Sequence, residues 1–426
     1  MNTLRFGTDG IRGIYGTTLT EETAYRLGAA LAEKGKILLG RDNRPSSPAL
    51  ARAVACGAAA NGGEVRPIGV VTTPALYYLL SVSDCAYAVM VTASHNPPEH
   101  NGLKVFTRRG KPDEDERREI EERMLCVPPA GSSSLPYKEK PDLSAYVGYV
   151  KSRVGRLDGV KVVVDLSGGA GSALSGLYDA LGASVISLNA RESGDRINQG
   201  CGALHPEFCQ KEVLLNKADI GVAIDGDGDR IVAITGKGEI WDGDLITYFL
   251  ACRMKACGIL NRNRVAMTVM TNGGVLKSLT EKGVTPVSCA VGDSALAETM
   301  RAENLNLGGE QSGHVILGDY LPTGDGLLTG AVLMKSILED GPLDEAPLPA
   351  VYPQVLLNVA VRDRSVANDK EVQRAAVEVK EALREGRVLL RASGTENLVR
   401  IMVEHPSEAL ARAAAETLKQ AVLRRA

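Results

Sequence analysis

The chain reads as an α/β protein: three similar α/β units with mixed sheets, followed by a smaller α+β unit at the C-terminus. Three observations predict this. Short apolar runs alternate with stretches of helical length and pattern as far as the proline-rich segment Pro342 to Pro353, the signature of strands and helices in succession. Polar loops, most of them containing glycine, follow the apolar runs, as expected where chemistry gathers at the carboxyl ends of strands. The 426 residues also exceed the ~250–300 at which one core stops growing, so two to four domains are expected. The expected units are 1–140, 141–244, 245–346 and 347–426, with linkers at Pro128 to Pro141 and Pro342 to Pro353, both rich in turn-forming residues.

In order, the loop Gly7 to Gly13 precedes a helix starting near Thr20, with Glu21 and Glu22 favourably placed in its first turn. Strands are expected at 37–39, 64–70 and 87–91, and helices at 47–61 and 74–81; the charged stretch Asp113 to Glu122 reads as a solvated helix face. In the second unit, strand 160–165 leads through Ser167-Gly168-Gly169-Ala170-Gly171-Ser172 into a helix near 172–181, followed by strand 183–188, a helix around 207–217 and strand 220–224. The glycine-rich loop lacks both the GxGxxG spacing of dinucleotide folds and the GK[ST] of a P-loop. The third unit has strands at 265–269 and 285–290. The last has a helix at 368–384, strands at 388–391 and 398–403, and a terminal helix with Ser407 as N-cap.

Composition narrows the partners. Lys plus Arg number 49 and Asp plus Glu 52, a net charge of −3, so nothing asks for nucleic acid or an anionic membrane. Eight scattered cysteines without a CxxC pair fit a reducing cytosol better than zinc or disulfides. With no apolar run of ~18 residues and no secretory h-region, a cytoplasmic protein without a membrane segment is expected.

Four loops carry candidate chemistry. Ser94 follows the apolar run Tyr87 to Val91, with His95 beside it, Pro97 and Pro98 stiffening the backbone and Lys104 downstream. Its hydroxyl would serve as a nucleophile or phosphate carrier, although Ser-His-Asn-Pro also suits an ordinary surface turn. Asp225-Gly226-Asp227-Gly228-Asp229-Arg230 places three carboxylates where glycines permit the turn, so they can converge on one hard cation. An EF-hand is disfavoured, because Arg230 and Gly236 occupy the positions that need Gly and Glu. A magnesium ion held there would leave coordination sites for phosphate oxygens, and Arg230 could balance charge or touch the same phosphate. Gly308 to His314 presents Glu310 and Gln311 as acceptor and mixed donor-acceptor, suited to sugar hydroxyls or an amino group, with Thr323-Gly324-Asp325-Gly326 as support. Arg391 to Asn397, with Arg400 beyond, combines guanidinium groups, hydroxyls and a glycine-permitted turn in the manner of a phosphate cradle.

Taken together, GTDGIRG, TASHNPPEHNGLK, DGDGDR, GGEQSGH and RASGTEN, in that order from residue 7 to 397, resemble the α-D-phosphohexomutases. Gln311 makes the bacterial phosphoglucosamine mutases the most similar branch. The resemblance implies four domains around a central cleft, one Mg²⁺, a phosphorylated Ser94 and a hexosamine 1,6-bisphosphate that serves as intermediate and activator. It implies Ser94, Asp225, Asp227 and Asp229 as metal ligands, with Arg12, His95 and Lys104 around the transferring phosphoryl group. Glu310, Gln311, Ser312 and His314 would meet the sugar, and Arg391, Ser393, Gly394, Thr395 and Arg400 the distal phosphate. Small sugar phosphates are the implied partners, and a homodimer is implied by the resemblance alone. One departure bears on sugar choice: Val291-Gly292-Asp293-Ser294 carries serine where the family commonly has arginine. Phosphomannomutase/phosphoglucomutase activity and a non-catalytic sugar-phosphate-binding paralogue are the alternatives.

Overall fold

The computed structural model describes residues 6–7, 10–128, 137–191, 193–393 and 397–425, and four sheets follow one another along these. The first contains β1 (Ile11–Ile14), β2 (Ile37–Arg41), β3 (Val65–Val70), β4 (Tyr87–Val91) and β5 (His100–Thr107), in the spatial order β1-β5-β4-β2-β3. The second contains β6 (Lys161–Asp165), β7 (Ser184–Leu188), β8 (Ile220–Ile224), β9 (Ile231–Thr235) and β10 (Ile240–Trp241), in the order β10-β9-β8-β6-β7. The third contains β11 (Arg264–Thr268), β12 (Thr285–Cys289), β13 (Leu307–Gly309) and β14 (Val315–Leu317), in the order β12-β11-β13-β14.

One plan recurs in all three. A first strand lies between two parallel neighbours: β2 between β3 and β4, β6 between β7 and β8, β11 between β12 and β13. The later neighbour then pairs antiparallel with the next strand, giving β4–β5, β8–β9 and β13–β14. The expected mixed α/β architecture is therefore present, with a common topology that makes the loops after β4, β8 and β13 equivalent. These strands read Tyr-Ala-Val-Met-Val, Ile-Gly-Val-Ala-Ile and Leu-Gly-Gly and are buried throughout, as interior strands covered on both faces must be.

The helix Glu21–Ala32 begins as its sequence predicts, Thr20 Oγ1 accepting the Thr23 N–H at 3.3 Å. The helix Glu114–Cys126 opens with a capping box between Asp113 and Glu116. Other segments differ from expectation. The helix expected at 172–181 is a 3-10 turn, Ala170–Leu174, and a short α-helix, Leu177–Leu181, parted at Gly176. Ser407 stands at the cap position of helix Glu408–Leu423 without a side-chain cap bond; its own N–H goes to His405 Nδ1 at 2.9 Å. β5 is not evident in the sequence, since Asn101, Gly102 and Lys104 are poor strand formers. Pairing with β1 on one side and β4 on the other overrides that preference. The first expected linker falls mostly outside the described residues.

The sheets share buried contacts. Leu76, Val222 and Leu328 belong to one continuous apolar core, and helix Gly326–Asp340 packs against the second sheet so closely that a Cβ on Gly330 would lie 3.0 Å from Val222. A smaller antiparallel sheet of β15 (Gln354–Ala360), β16 (Arg387–Ala392) and β17 (Leu398–Glu404), ordered β15-β17-β16, encloses a separate core with helices Lys370–Leu383 and Glu408–Leu423. It is tied to the third sheet's loops. Fully buried Glu404 accepts the Gly273 N–H at 2.7 Å, and the Asn272 side chain bonds both backbone groups of Tyr352 at 2.9 Å. No helix among the described residues is long and apolar enough to cross a membrane.

Candidate active site

The three equivalent loops meet. Ser94 lies beyond the end of β4, Asp225 immediately after β8 and Glu310 immediately after β13, so the repeated topology delivers a hydroxyl, a carboxylate cluster and a glutamate to one place. A cavity of about 280 Å³ there is lined by Ser94, Arg12, Asp229, Arg230, Glu310, Ser312 and His314, with Val291, Gly292 and Asp293.

Ser94 is 1% exposed and has a left-handed backbone, φ 54°, uncommon for a residue with a side chain. That conformation is held from both sides. The Ser94 N–H donates to Thr92 Oγ1 at 3.0 Å, while its carbonyl accepts from Arg44 Nη2 at 2.8 Å and Asn198 Nδ2 at 2.9 Å. Arg44 is fully buried, pairs with Asp42 at 2.9 Å, and also donates to the carbonyls of Asn96 at 2.8 Å, His100 at 3.0 Å and Pro97. One guanidinium thus meets four carbonyls of the 94–100 loop. Arg44→Met would leave the Pro97 and His100 carbonyls without this donor and the buried Asp42 carboxylate without its counter-charge, at a cost of about 3–5 kcal/mol. The expected result is a melting temperature lower by roughly 10 °C in a thermal denaturation scan.

The metal-type loop is built around the serine. Asp225 Oδ1 accepts the N–H groups of Gly228 at 3.1 Å and Arg230 at 3.2 Å, leaving Oδ2 to accept the Ser94 hydroxyl at 2.7 Å. Gly226 is required by close approach: a Cβ there would sit 2.5 Å from the Ser94 carbonyl oxygen. The Ser167 to Ser172 loop is structural packing for this turn, Ala170 donating its N–H to the Gly226 carbonyl at 2.8 Å. The 323–326 segment supports it from the other side, through the Gly326 N–H on the Gly228 carbonyl at 2.9 Å.

Asp225, Asp227 and Asp229 each offer an oxygen within 4.8 Å of the others. Lys104 Nζ, from β5, donates to Asp227 Oδ2 at 2.7 Å and Asp229 Oδ2 at 3.1 Å; Thr73 Oγ1 donates to Asp227 Oδ2 at 2.5 Å. Burial, then Asp229 and Asp227, push the Asp225 carboxyl well above the usual range. Burial pushes Asp227 the same way, but Lys104, Thr73 and Arg12 outweigh it and hold that group well below its ordinary value. A cation test follows from the remaining oxygens. Asp227 Oδ1 and Asp229 Oδ1 are buried and accept no hydrogen bond among the described residues, an arrangement costly for anions unless a cation meets them. The all-oxygen donor set suits Mg²⁺.

His95 Nδ1 lies 3.4 Å from Ser94 Oγ, and burial, followed by Arg230 and Arg12, holds its imidazole down at about 4. Arg12 reaches the cavity from β1, opposite Gly102 of β5. Glu310 Oε1 accepts the Gly292 N–H at 2.8 Å, and His314 Nε2 accepts that of Gly324 at 3.2 Å. Gln311 does not line the cavity; its backbone carbonyl accepts the Gly243 N–H at 3.2 Å, at the start of helix Gly243–Ala256. Arg391 and Arg400 are cross-strand partners on β16 and β17, and the Ser393 carbonyl accepts from Arg364 at 3.2 Å; none of these lines the cavity. Gly394 and Thr395 lie outside the described residues, as do Thr8 and Asp9 of the first loop. Arg44, Thr73 and Asn198 were missed by sequence reasoning. Arg44 does follow β2 in a loop and Thr73 opens the helix Thr73–Ser81 just after β3, a signal pointing to the right place without showing what they bond.

Comparison with known proteins agrees with this geometry. Residues 3–126, 242–348 and 356–421 match the models for phosphoglucomutase/phosphomannomutase α/β/α domain I, α/β/α domain III and the C-terminal domain, respectively. The chain belongs to the α-D-phosphohexomutase family. Within this phosphohexomutase family, it is 40% identical over 428 residues to phosphoglucosamine mutase of Shouchella clausii, covering 95% of each chain. A phosphoglucomutase/phosphomannomutase family protein from Burkholderia thailandensis has a similar structure, with TM-score 0.82 and 25% identity over 99% of this chain and 97% of that one. Aspergillus fumigatus N-acetylphosphoglucosamine mutase in complex with GlcNAc-6P and magnesium shares the fold, with TM-score 0.68 and 18% identity over 98% and 95%. Like the other phosphohexomutases, the protein is a Mg²⁺-dependent phosphotransferase, and its buried carboxylate triad suits that metal.

Proposed function

We propose that the protein is a phosphoglucosamine mutase, interconverting glucosamine 6-phosphate and glucosamine 1-phosphate through phosphorylated Ser94 and glucosamine 1,6-bisphosphate. The observation that carries this is the 2.7 Å contact between Ser94 Oγ and Asp225, beside a cavity that Ser94 lines together with Glu310. The likeness to a named phosphoglucosamine mutase at 40% identity supports the amino sugar as substrate. The magnesium complex of the Aspergillus fumigatus enzyme supports the metal.

Asp225, Asp227, Asp229 and a Ser94 oxygen would hold a Mg²⁺ ion, which would supply charge stabilisation to the phosphoryl group. The side chains do the rest. Arg12 and Arg230 face the cavity, where they balance phosphoryl charge, and Lys104 offsets the carboxylates. In the forward direction the bond between the Ser94 oxygen and phosphorus breaks, and the sugar O1 forms a bond to phosphorus. The proton of that hydroxyl passes to His95, neutral near pH 7, while Lys104, an ammonium paired with two carboxylates, stands on the proton-donating side. After the bisphosphate turns end for end, its 6-phosphoryl returns to Ser94 and O6 regains a proton. Glu310, Ser312 and His314 recognise the sugar, with Gln311 outside the cavity wall, and Arg391, Ser393, Gly394, Thr395 and Arg400 hold whichever phosphate is not reacting. Each of the four units 1–140, 141–244, 245–346 and 347–426 contributes one loop, and the bisphosphate acts as activator by charging Ser94.

The test is a side-by-side assay of glucosamine, glucose and mannose 6-phosphates, each with its 1,6-bisphosphate. Glucosamine 6-phosphate should have a kcat/KM at least about tenfold above the others. A preference for glucose or mannose would make the protein a phosphoglucomutase/phosphomannomutase, and orthophosphate release without isomerisation would defeat the mutase reading altogether.

A further inference from the structure

β5 leads to a second cation that the chemistry above does not use. Lys104 reaches the carboxylates from the middle of this strand; Lys111 stands just past its end, after a tight turn. The turn is closed by the Thr107 N–H on the Gly110 carbonyl at 2.7 Å and by the reverse bond at 3.1 Å, so the position of Lys111 is fixed relative to Lys104. Across the boundary between the first and third sheets, Lys111 Nζ donates to Asp293 Oδ2, and both side chains are mostly buried, at 17% and 23% exposed.

Asp293 is the point of contact that matters. It opens the helix Asp293–Ala302 and, with Gly292 before it, lines the Ser94 cavity, and Gly292 donates its N–H to Glu310 at 2.8 Å. Asp293 Oδ1 accepts the Ser294 N–H at 2.7 Å, holding the carboxylate so that Oδ2 points to Lys111. Asp293 and His314 also line a narrow seam, with about 40 Å³ of free space, that contains Lys111 and lies beside the reaction cavity. Two polar contacts, Lys111 with Asp293 and Gly292 with Glu310, joined through the Gly292–Asp293 peptide bond, thus connect the serine-bearing sheet to the sugar-facing glutamate.

We propose that Lys111 is a positioning residue: its ion pair with Asp293 latches the Val291–Asp293 loop and Glu310 in register with Ser94. The proposal rests on the mutase reading above for its kinetic consequence, but its structural part stands without a substrate. A bisphosphate that must turn over inside the cleft is retained only while the sugar-facing wall stays in register with the phosphoserine wall. With the latch broken, the loop moves independently, sugar binding weakens and the bisphosphate escapes more often.

Two measurements on Lys111→Met test this. In the ligand-free protein, hydrogen exchange of the 291–296 amides should accelerate relative to wild type, with melting temperature nearly unchanged. In turnover, KM for glucosamine 6-phosphate should rise about five- to tenfold with kcat within about twofold, and bisphosphate released per turnover should increase. Lys111→Arg should restore both, and Asp293→Asn should add little in the Lys111→Met background, as expected for two members of one contact. Unchanged loop exchange in Lys111→Met, or fully additive effects of the two substitutions, would overturn the latch. Faster loop exchange in a protein whose wild type isomerises none of the three sugar phosphates would defeat the proposed function and leave the latch standing.

Discussion

Ser94→Ala is expected to lower mutase turnover by at least about 10⁴-fold while the protein stays folded and still binds sugar phosphate within about tenfold of wild type. The separation of the two effects follows from which atoms hold the loop. Every bond that fixes the backbone at residue 94 uses its N–H or carbonyl: Thr92 at 3.0 Å, Arg44 at 2.8 Å and Asn198 at 2.9 Å. None uses the hydroxyl. Alanine tolerates the φ of 54° no worse than serine does, so the substitution adds little backbone strain. What is lost locally is the hydrogen bond to Asp225 Oδ2, leaving a buried acceptor short of one donor at a cost of about 1–3 kcal/mol. Asp225 Oδ1 keeps both of its N–H donors, which bounds that loss. The chemical loss is total, because no other described hydroxyl lines the cavity beside the carboxylates; Ser312 is on the Glu310 loop. Calorimetric binding of glucosamine 6-phosphate alongside the coupled assay separates the two effects. Turnover within about tenfold of wild type would remove Ser94 as the phosphoryl carrier.

Much of this site is legible in the sequence because its residues follow short, wholly apolar strands. Ser94 and Asp225 stand out as polar groups just beyond runs that must be buried, and carboxylates spaced by glycines at 225–229 signal convergence on a cation; the strand before Glu310, only Leu307–Gly309, is too short and glycine-rich to be read this way. The residues that hold these groups are illegible for an equally physical reason. Arg44 bonds the Ser94 carbonyl 50 positions away and Thr73 bonds Asp227 154 positions away, so nothing local in either sequence neighbourhood distinguishes them from ordinary loop residues. Lys104 is an intermediate case. Its charge and proximity to Ser94 mark it, but the strand that aims it at Asp227 exists only because β1 and β4 pair on both sides. For the C-terminal loop, the pairing of Arg391 with Arg400 follows from two antiparallel strands close together in the sequence. Its direction relative to Ser94 depends instead on Glu404 with Gly273 and on Asn272 with Tyr352, contacts between units that no periodicity encodes.

Asp227→Asn is expected to abolish the Mg²⁺-dependent rise in melting temperature and to lower turnover by about 10³-fold, while the metal-free protein melts within a few degrees of wild type. Two opposing terms set the metal-free result. Removing one partner of a buried ion pair ordinarily costs about 3–5 kcal/mol, but Lys104 retains Asp229 at 3.1 Å, so its ammonium is not stranded. Against that cost, one of three mutually repelling carboxylates is gone, which relieves the neighbours that push Asp225 upward. The amide oxygen of the substituted side chain can still accept from Thr73, whose hydroxyl lies 2.5 Å from Asp227 Oδ2 in the wild type. The metal-bound result has no such compensation. Oδ1 of Asp227 is one of two buried carboxylate oxygens of the triad lacking a donor among the described residues, and a neutral amide there offers a cation far less. Wild type at a hundred times its Kd for Mg²⁺ should gain about 2.7 kcal/mol, read as a shift in melting temperature on titration and reversed by a chelator. A variant that keeps this shift, together with turnover within about tenfold of wild type, would show that the cation is not held at the 225–229 loop.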